Sequence, residues 1–141
     1  MKKIFISSDH AGFKLKEAIK IFLNQKNYKF TDLGPINNDR VDYPDFAHKV
    51  AKKVKINKNH IGILVCGSGM GMNIAANRHK NVRAAQCFNL KSTKLSRLHN
   101  DANIITLGSR LLSKNNALKC LSVFLSTKFE GGRHSKRIKK I

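Results

Sequence analysis

The chain has 141 residues, 41% of them hydrophobic, which is enough for one sizeable core, so we expect a single domain over residues 1–141. A formal net charge of +20 predicts an anionic partner, either nucleic acid or a phosphorylated small molecule. The basic residues are spread along the whole chain and known nucleic-acid-binding motifs are missing, so a phosphorylated small molecule is favoured and a nucleic-acid-associated module is the alternative.

Short apolar runs alternate with segments of helical period, which predicts repeated βα units and a mostly parallel sheet. The predicted strands cover residues 3–7, 28–32, 61–66, 82–88 and 103–107. Helical spacing predicts helices near residues 13–23, 46–54 and 117–125, with weaker ones after Gly71 and after Asn89. The expected fold class is α/β, a three-layer α/β/α Rossmann-like sandwich with a five-stranded parallel sheet.

Targeting and redox signals are missing from the sequence. The apolar run near the N-terminus ends at Ser7, too early for a signal peptide, and nothing approaches a transmembrane span. Cys66, Cys87 and Cys120 are odd in number and lack the close pairing of a zinc or redox motif. We therefore expect a cytoplasmic protein with reduced cysteines, no membrane association and no bound metal.

Polar or glycine-rich segments follow three predicted strands, at the sheet edge where ligands of such folds bind. They are residues 8–12, 66–71 and 108–110. Asp9 and His10 would face the same edge as Cys66, although a turn with an incidental histidine is the alternative. His99 and Asn100 stand instead at the end of a predicted helix, where both residue types are common without a function.

A glycine-rich loop with the sequence CGSGMG, residues 66–71, joins an apolar strand to a helix. Its glycines allow successive backbone N–H groups to converge on an anion, whereas the simpler alternative is a plain strand-helix turn. The G-x-G-x-G spacing differs from the dinucleotide fingerprint, and no acidic residue ends the next strand. The loop therefore predicts a cradle for a phosphate or an oxyanion.

Cys66 opens this loop, and a cysteine at the end of a buried strand is often only a small hydrophobic residue. At a helix N-terminus in a strongly positive protein, however, its thiol is expected to ionise readily and to act as a base or a nucleophile. A cysteine-phosphatase loop would carry Arg six residues further on, where this chain has Met72. Proton abstraction is therefore favoured over phosphoryl transfer.

Two arginines four residues apart, Arg133 and Arg137, follow a Gly131-Gly132 pair. The spacing puts both guanidinium groups on one side of a helical turn, and two such groups suit a phosphate. The alternative is a frayed basic tail from about residue 130.

Seven motifs taken together resemble the ribose-5-phosphate isomerase B group of the ribose/galactose isomerase family. They are SDHAG at 8–12, VDYPD at 41–45, CGSGMG at 66–71, IAAN at 74–77, HNDAN at 99–103, LGSR at 107–110 and FEGGRH at 129–134. Their order and spacing across nearly the whole chain make the resemblance specific. It implies an aldose-ketose isomerase that interconverts ribose 5-phosphate and ribulose 5-phosphate through an enediolate, and no cofactor is expected.

The resemblance also implies roles for individual residues. Cys66 would be the base, His99 the acid that opens the furanose ring, and Ser68 a catalytic group that helps to hold the enediolate. The substrate contacts that it implies are Asp9, His10, Gly67, Ser68, Gly69, Met70, Gly71, Asn100, Arg110, Arg133 and Arg137. Many members of the family carry Thr at the place of Ser68. A subgroup lacks the cysteine and uses Glu at the place of Met72. Because this chain has Cys66 and no Glu at position 72, it resembles the members that use a thiol.

The family further implies a homodimer, or a dimer of dimers, with active sites shared between subunits. Such sharing would allow the base at a strand end and His99 at a helix end to meet. Sister enzymes act on allose 6-phosphate or galactose 6-phosphate, so a six-carbon sugar phosphate remains the alternative substrate. A galactose 6-phosphate isomerase subunit would need a different partner chain.

Overall fold

The computed structural model describes residues 2–141, which form five strands and six helices. The strands are β1 (Lys3–Ser8), β2 (Phe30–Asp32), β3 (His60–Cys66), β4 (Ala84–Gln86) and β5 (Ile104–Gly108). The helices are α1 (Phe13–Gln25), α2 (Tyr43–Val54), α3 (Met70–Ala76), α4 (Leu90–Asn100), α5 (Lys114–Ser126) and α6 (Arg133–Ile138). Within the described residues no helix has both the length and the apolarity needed to cross a membrane.

The five strands form one parallel sheet in the order β2-β1-β3-β5-β4. Strands β1, β3 and β5 are buried on both faces, which explains their apolar runs without polar alternation. The connection that leaves β1 leads to β2, at one end of the strand order. The strands that follow β3 in the chain, β4 and β5, lie toward the other end of that order. The carboxyl ends of β1 and β3 therefore flank a topological switch point, the place where ligands bind in open α/β sheets.

The sheet separates two hydrophobic cores, which confirms the predicted three-layer sandwich. Ile4 and Ile6 of β1 face a core shared with α1 and α5, whereas Phe5 faces the core built by α2 and α3. Helix α4 packs beside α5. Cys66 belongs to the core on the α2–α3 side, so its thiol approaches the sheet edge beside the start of α3.

The two outer strands are shorter than predicted. Strand β4 covers Ala84–Gln86 instead of 82–88, and β2 covers Phe30–Asp32 instead of 28–32. Each pairs with one neighbour only, and Val82 and Cys87 are buried although they lie outside the ladder. Apolar content therefore predicted burial correctly at these positions, but burial there does not require strand pairing.

A buried ion pair joins α1 to the end of β2. The side chain of Lys16 is fully buried, and Nζ donates to Asp32 Oδ2 at 2.7 Å and to the backbone oxygen of Pro35 at 2.9 Å. Glu17 Oε1 lies 3.2 Å from the same ammonium. Burial tends to raise the pKa of Asp32, but hydrogen bonds from Lys16 and Lys20 outweigh it and hold that pKa below its ordinary value.

We expect Asp32→Ala to lower the free energy of unfolding by about 3 kcal/mol, because it leaves a buried ammonium without its main counter-charge. Urea unfolding at neutral pH measures the loss. Because the pKa of Asp32 is depressed, its contribution is complete above 3.8 and is lost as the pH falls through the lower folded value. The double variant Lys16→Met/Asp32→Ala buries no charge and should be more stable than Asp32→Ala alone; equal stability would contradict this account.

Candidate active site

The loop after β1 is folded around a buried carboxylate. Asp9 is 6% exposed, and its Oδ1 accepts the backbone N–H of Gly12 at 2.9 Å. Its own N–H donates to the backbone oxygen of Val65 on β3 at 3.1 Å. A Cβ at Gly12 would collide with that same backbone oxygen, so only glycine lets the two loops approach this closely. Asp9 is therefore fixed beside the end of β3.

His10 follows Asp9 and is half-buried. The backbone N–H of Val41, from the segment between β2 and α2, donates to His10 Nδ1 at 3.3 Å. Because Nδ1 accepts this bond, Nε2 carries the proton of the neutral ring. His10 can therefore donate a hydrogen bond from Nε2 to a hydroxyl oxygen of a ligand.

Cys66 ends β3, with its side chain 4% exposed. The backbone N–H of Gly69 donates to Cys66 Sγ at 3.1 Å. Gly69 has a φ of +77°, and a Cβ there would lie 3.0 Å from the carbonyl carbon of Leu107. The loop can thus turn back toward the sulfur only because this residue is glycine. The sulfur therefore lies beside the start of α3, with a backbone N–H directed at it.

Ser68 lies within the same loop and has a hydroxyl with a free proton. Its Oγ accepts the backbone N–H of Met70 at 3.2 Å, so the hydroxyl hydrogen remains available to a ligand. The backbone oxygen of Ser68 accepts a hydrogen bond from Gln86 Nε2 at 2.8 Å. Gln86, on the outer strand β4, thereby holds the loop from the side, a contact that the sequence did not predict.

Arg110 covers the first glycine of the loop. Its backbone N–H donates to the backbone oxygen of Gly67 at 2.9 Å, and a Cβ at Gly67 would lie 2.9 Å from Arg110 Nη1. The side chain of Arg110 is exposed. The structure therefore places an exposed guanidinium directly beside the Cys66 loop, as expected from its position after the last strand.

Tyr43 is the second residue of this edge that sequence analysis left without a role. It begins α2 and is 40% exposed, and a Cβ at Gly71 would lie 2.5 Å from its ring. The ring therefore packs against the first turn of α3 at Gly71. The sequence feature that could have pointed to Tyr43 is the VDYPD motif, in which this aromatic residue with a hydroxyl stands next to the proline that begins a helix.

The remaining predicted residues lie at the opposite edge of the sheet. Helix α4 runs antiparallel to the strands, so His99 and Asn100 at its end precede β5, whereas Gly108 at the end of β5 pairs with Cys66. Strand β5 has five residues and separates the two edges by roughly 16 Å. Within one chain, His99 therefore cannot act on a substrate held at Cys66.

The turn after α4 is held by two arginines. Asp101 has a φ of +43°, and its carboxylate accepts hydrogen bonds from Arg97 Nη1 at 2.8 Å and from Arg83 Nη2 at 3.2 Å. Arg97 is itself buried, with Nε donating to the backbone oxygen of Thr127. These bonds fix the direction in which the end of α4 presents His99.

His99 stacks on His134 of α6, with ring centroids 4.3 Å apart and an interplanar angle of 16°. Glu130 lies beside both rings, and its Oε1 is 3.8 Å from Arg133 Nη1. Burial lowers the pKa of His134, and the positive charge of Arg133 lowers it further. A cavity of about 370 Å³ opens here, lined by His99, Asn100, His134, Arg137, Ile138 and Ile141.

The predicted site residues thus form two groups in one chain. The group at the switch point contains Asp9, His10, Cys66, Gly67, Ser68, Gly69, Met70, Gly71 and Arg110. The group at the opposite edge contains His99, Asn100, Arg133 and Arg137, together with His134 and Glu130, which the sequence analysis did not single out. The first group offers a thiol, a hydroxyl and backbone N–H groups, and the second offers two imidazoles and two guanidinium groups.

Comparison with known proteins gives one consistent result. The Ribose/Galactose Isomerase family profile matches residues 4–141. Ribose-5-phosphate isomerase B of Escherichia coli (strain K12) is 40% identical over 141 residues, covering 100% of this chain and 95% of that protein.

Solved structures match over almost the whole chain. Ribose-5-phosphate isomerase B of Clostridium thermocellum superposes with a TM-score of 0.95 at 46% identity, covering 98% of this chain and 93% of that one. Ribose-5-phosphate isomerase B of Mycoplasma genitalium, crystallised with bound ribulose 5-phosphate, has a TM-score of 0.94 at 45% identity, covering 98% of this chain and 92% of that one.

Proposed function

The chain belongs to the ribose/galactose isomerase family, and we propose that it interconverts ribose 5-phosphate and ribulose 5-phosphate in the cytoplasm without a cofactor, using Cys66 as the base. The observation that carries this proposal is the thiol of Cys66, which ends β3 at the switch point and accepts the N–H of Gly69 at 3.1 Å. A relative that binds ribulose 5-phosphate at 45% identity supports the substrate.

Isomerisation moves one proton from C2 of the open-chain aldose to C1. A thiolate at Cys66 can remove the C2 proton, and the resulting thiol can return that proton to C1, so one residue serves both carbons. Meanwhile the oxygen on C2 loses its proton and the oxygen on C1 gains one. The free hydroxyl hydrogen of Ser68 suits this exchange.

The negative charge of the enediolate needs donors that are already in place. The N–H groups at the start of α3 have no acceptor within the helix, and glycine at positions 69 and 71 lets β5 and Tyr43 pack closely around this turn. Removing one such donor from an enzyme typically costs about a hundred- to a thousandfold in rate. Gly67, Met70 and Ser68 complete this cradle in the proposal.

The sugar itself would be held by polar groups around the cradle. His10 Nε2 can donate to a ring or chain hydroxyl, and Asp9 offers its second carboxylate oxygen as an acceptor. Arg110 and Asn100 provide further donors for the sugar oxygens in the proposal. Arg133 and Arg137 would bind the phosphate and so position the carbon chain over the sulfur.

A complete site in this proposal needs two chains. The base and the ring-opening acid lie at opposite edges of the sheet, separated by roughly the 16 Å length of a five-residue strand. We propose a homodimer, or a dimer of dimers, in which His99, Asn100, Arg133 and Arg137 of one subunit face Cys66 of the other. In this proposal His99 from the neighbouring subunit is the acid that opens the furanose ring.

Exposed apolar side chains near the cradle support such an association. Met70 and Ile74 of α3 are 52% and 68% exposed, and Phe88 and Leu90, which follow β4, are 59% and 46% exposed. Helix α3 contacts β4, so these side chains lie on neighbouring elements. Apolar groups clustered beside a polar cleft are typical of a protein interface.

We expect the purified protein to interconvert ribose 5-phosphate and ribulose 5-phosphate with no added cofactor, and to keep its rate after exhaustive dialysis against EDTA. The rate is measured by the absorbance of the ketose product. Allose 6-phosphate and galactose 6-phosphate serve as comparison substrates, and a kcat/KM above that for ribose 5-phosphate would favour the six-carbon alternative. A rate that falls on chelation and returns with a divalent ion would contradict the proposed thiolate mechanism.

A further inference from the structure

Two hydrogen bonds in series connect the outer strand β4 to the sulfur of Cys66 through a single peptide group. Gln86 Nε2 donates to the backbone oxygen of Ser68 at 2.8 Å. The N–H of the same peptide group belongs to Gly69 and donates to Cys66 Sγ at 3.1 Å. Because the C=O and N–H of a trans peptide point in opposite directions, the bond from Gln86 and the bond to the sulfur require the same orientation of this peptide.

This peptide group can adopt more than one orientation, because it is followed by glycine. Gly69 has a φ of +77°, and glycine populates positive and negative φ about equally well. A rotated peptide would direct the oxygen of Ser68 toward the sulfur and the N–H away from it. Among the side chains of residues 2–141, only that of Gln86 donates a hydrogen bond to this oxygen. The observed orientation therefore depends on a residue outside the loop.

Amide side chains also hold β4 at a fixed distance from α3. Asn77, at the end of α3, donates from Nδ2 to the backbone oxygen of Ala84 at 2.9 Å and accepts the backbone N–H of Ala84 at 2.8 Å. Asn73 Nδ2 donates to Thr106 Oγ1 at 3.2 Å, and Thr106 is the residue of β5 that pairs with Gln86. These bonds position the Gln86 amide beside the loop, although β4 has only three residues.

We propose that Gln86 is a positioning residue for Cys66: it keeps the Ser68–Gly69 peptide in the orientation that directs its N–H at the sulfur. The inference rests on the proposed function, in which Cys66 is the base. A hydrogen bond to a peptide oxygen polarises that peptide and strengthens its N–H as a donor. Without the bond the peptide can turn, and a carbonyl oxygen that faces the sulfur repels a thiolate.

Two variants of nearly the same length as glutamine test this role. Gln86→Met has no donor, and we expect kcat to fall by about tenfold, the upper end of what one hydrogen bond contributes. KM should change by less than about twofold, because the proposed phosphate contacts at Arg133 and Arg137 are unaltered. Gln86→Glu places a carboxylate against the Ser68 oxygen at neutral pH and should lower kcat further than Gln86→Met does.

Matched controls separate the orientation of the peptide from the general attachment of α3. Gln25→Met is the same change at the only other glutamine of the chain, which is exposed on α1, and should leave kcat unchanged. Asn73→Leu removes the bond to Thr106 but leaves the loop peptide in place, so it should lower stability and not kcat. Equal losses of kcat in Asn73→Leu and Gln86→Met would overturn the proposal.

The rate at which iodoacetamide labels Cys66 measures the sulfur without reference to isomerisation. At a fixed pH, labelling should be severalfold slower in Gln86→Met, because the sulfur loses the N–H and faces an oxygen. A merely structural role of Gln86 predicts the opposite change, since a loosened loop would uncover a thiol that is only 4% exposed. Labelling at the parent rate or faster would therefore count against the positioning role.

Activity and labelling together separate this inference from the proposed function. Circular dichroism and thermal unfolding identify which of the two Gln86 variants keeps the native fold, and that variant is used for both measurements. Parent-like kcat in a folded variant of an active isomerase would refute the positioning role. Slower labelling in a protein that does not isomerise ribose 5-phosphate would uphold the orientation by Gln86 and refute the proposed function instead.

Discussion

Replacing Cys66 by alanine is expected to lower kcat for ribose 5-phosphate isomerisation by about a thousandfold, within the range that a positioned base contributes. KM should change little, because the substrate contacts proposed above do not involve the sulfur. Initial rates with stopped or coupled detection measure both constants. Activity within tenfold of the parent protein would rule out Cys66 as the base.

Two further variants make this result specific. In Cys66→Ser the hydroxyl still accepts the N–H of Gly69 but does not ionise near neutral pH, so the rate should stay as low as in the alanine variant. Cys120→Ala removes a thiol of equal size from a buried position in the other core, on α5, and should leave kcat unchanged. Equal losses in the Cys120 and Cys66 variants would indicate a packing effect and not a catalytic one.

Alkylation provides an independent measurement of the same thiol. Iodoacetamide should inactivate the enzyme through Cys66, and substrate should protect it. Burial raises the pKa of Cys87 to about 11, so that thiol stays protonated at neutral pH and should remain unlabelled. Mass spectrometry of the alkylated protein identifies the site, and equal labelling at Cys87 would contradict a special environment for Cys66.

Sequence patterns predicted the interior of the sheet better than its margins. Strands β1, β3 and β5 are buried on both faces, and this forces continuous apolar runs that can be recognised in the sequence. The outer strands β2 and β4 keep only three residues each in the ladder. Their limits depend on which neighbour they meet, and that information is not local in the sequence.

The buried ion pair shows a second limit of sequence analysis. Lys16 lies one residue from Leu15 on α1, and nothing near it distinguishes a buried lysine from the exposed Lys14. Its partner Asp32 stands 16 residues away on β2 and becomes its neighbour only when the sheet forms. Long-range pairs of this kind follow from the tertiary fold and not from local propensity.

For the candidate site, local motifs predicted where the loop residues lie in the fold, but they did not predict which distant residues contact that loop. The Cys66 loop was predicted at a strand-helix junction, and the structure places it there because glycines at 67 and 69 allow close approach to Arg110 and β5. Gln86 and Tyr43 were missed, since each reaches the loop from a distant element. His134 stands next to Arg133 in the FEGGRH motif, and its contact with Glu130 depends on the turn through Gly131 and Gly132 that precedes α6.

The shared site leads to the second large effect, which appears when two nearly inactive variants are combined. Cys66→Ala and His99→Asn should each have little activity as homodimers. A mixed dimer contains one site that lacks both residues and one site with Cys66 from one chain and His99 from the other. That second site is complete, so we expect a purified mixed dimer to recover about half of the activity of the parent dimer.

The experiment requires co-expression of the two variants with different affinity tags and sequential purification of the doubly tagged species. Combining Cys66→Ala with Cys66→Ser supplies the matched control, because neither site of that mixed dimer contains the thiol, and its activity should stay at the background. If the base and the acid came from the same chain, each subunit of the Cys66→Ala/His99→Asn dimer would carry one damaged site, and no activity would return. Failure to recover activity in a stable, doubly tagged dimer would therefore disprove the sharing of sites, because only an interface that joins opposite sheet edges of two chains restores the pair.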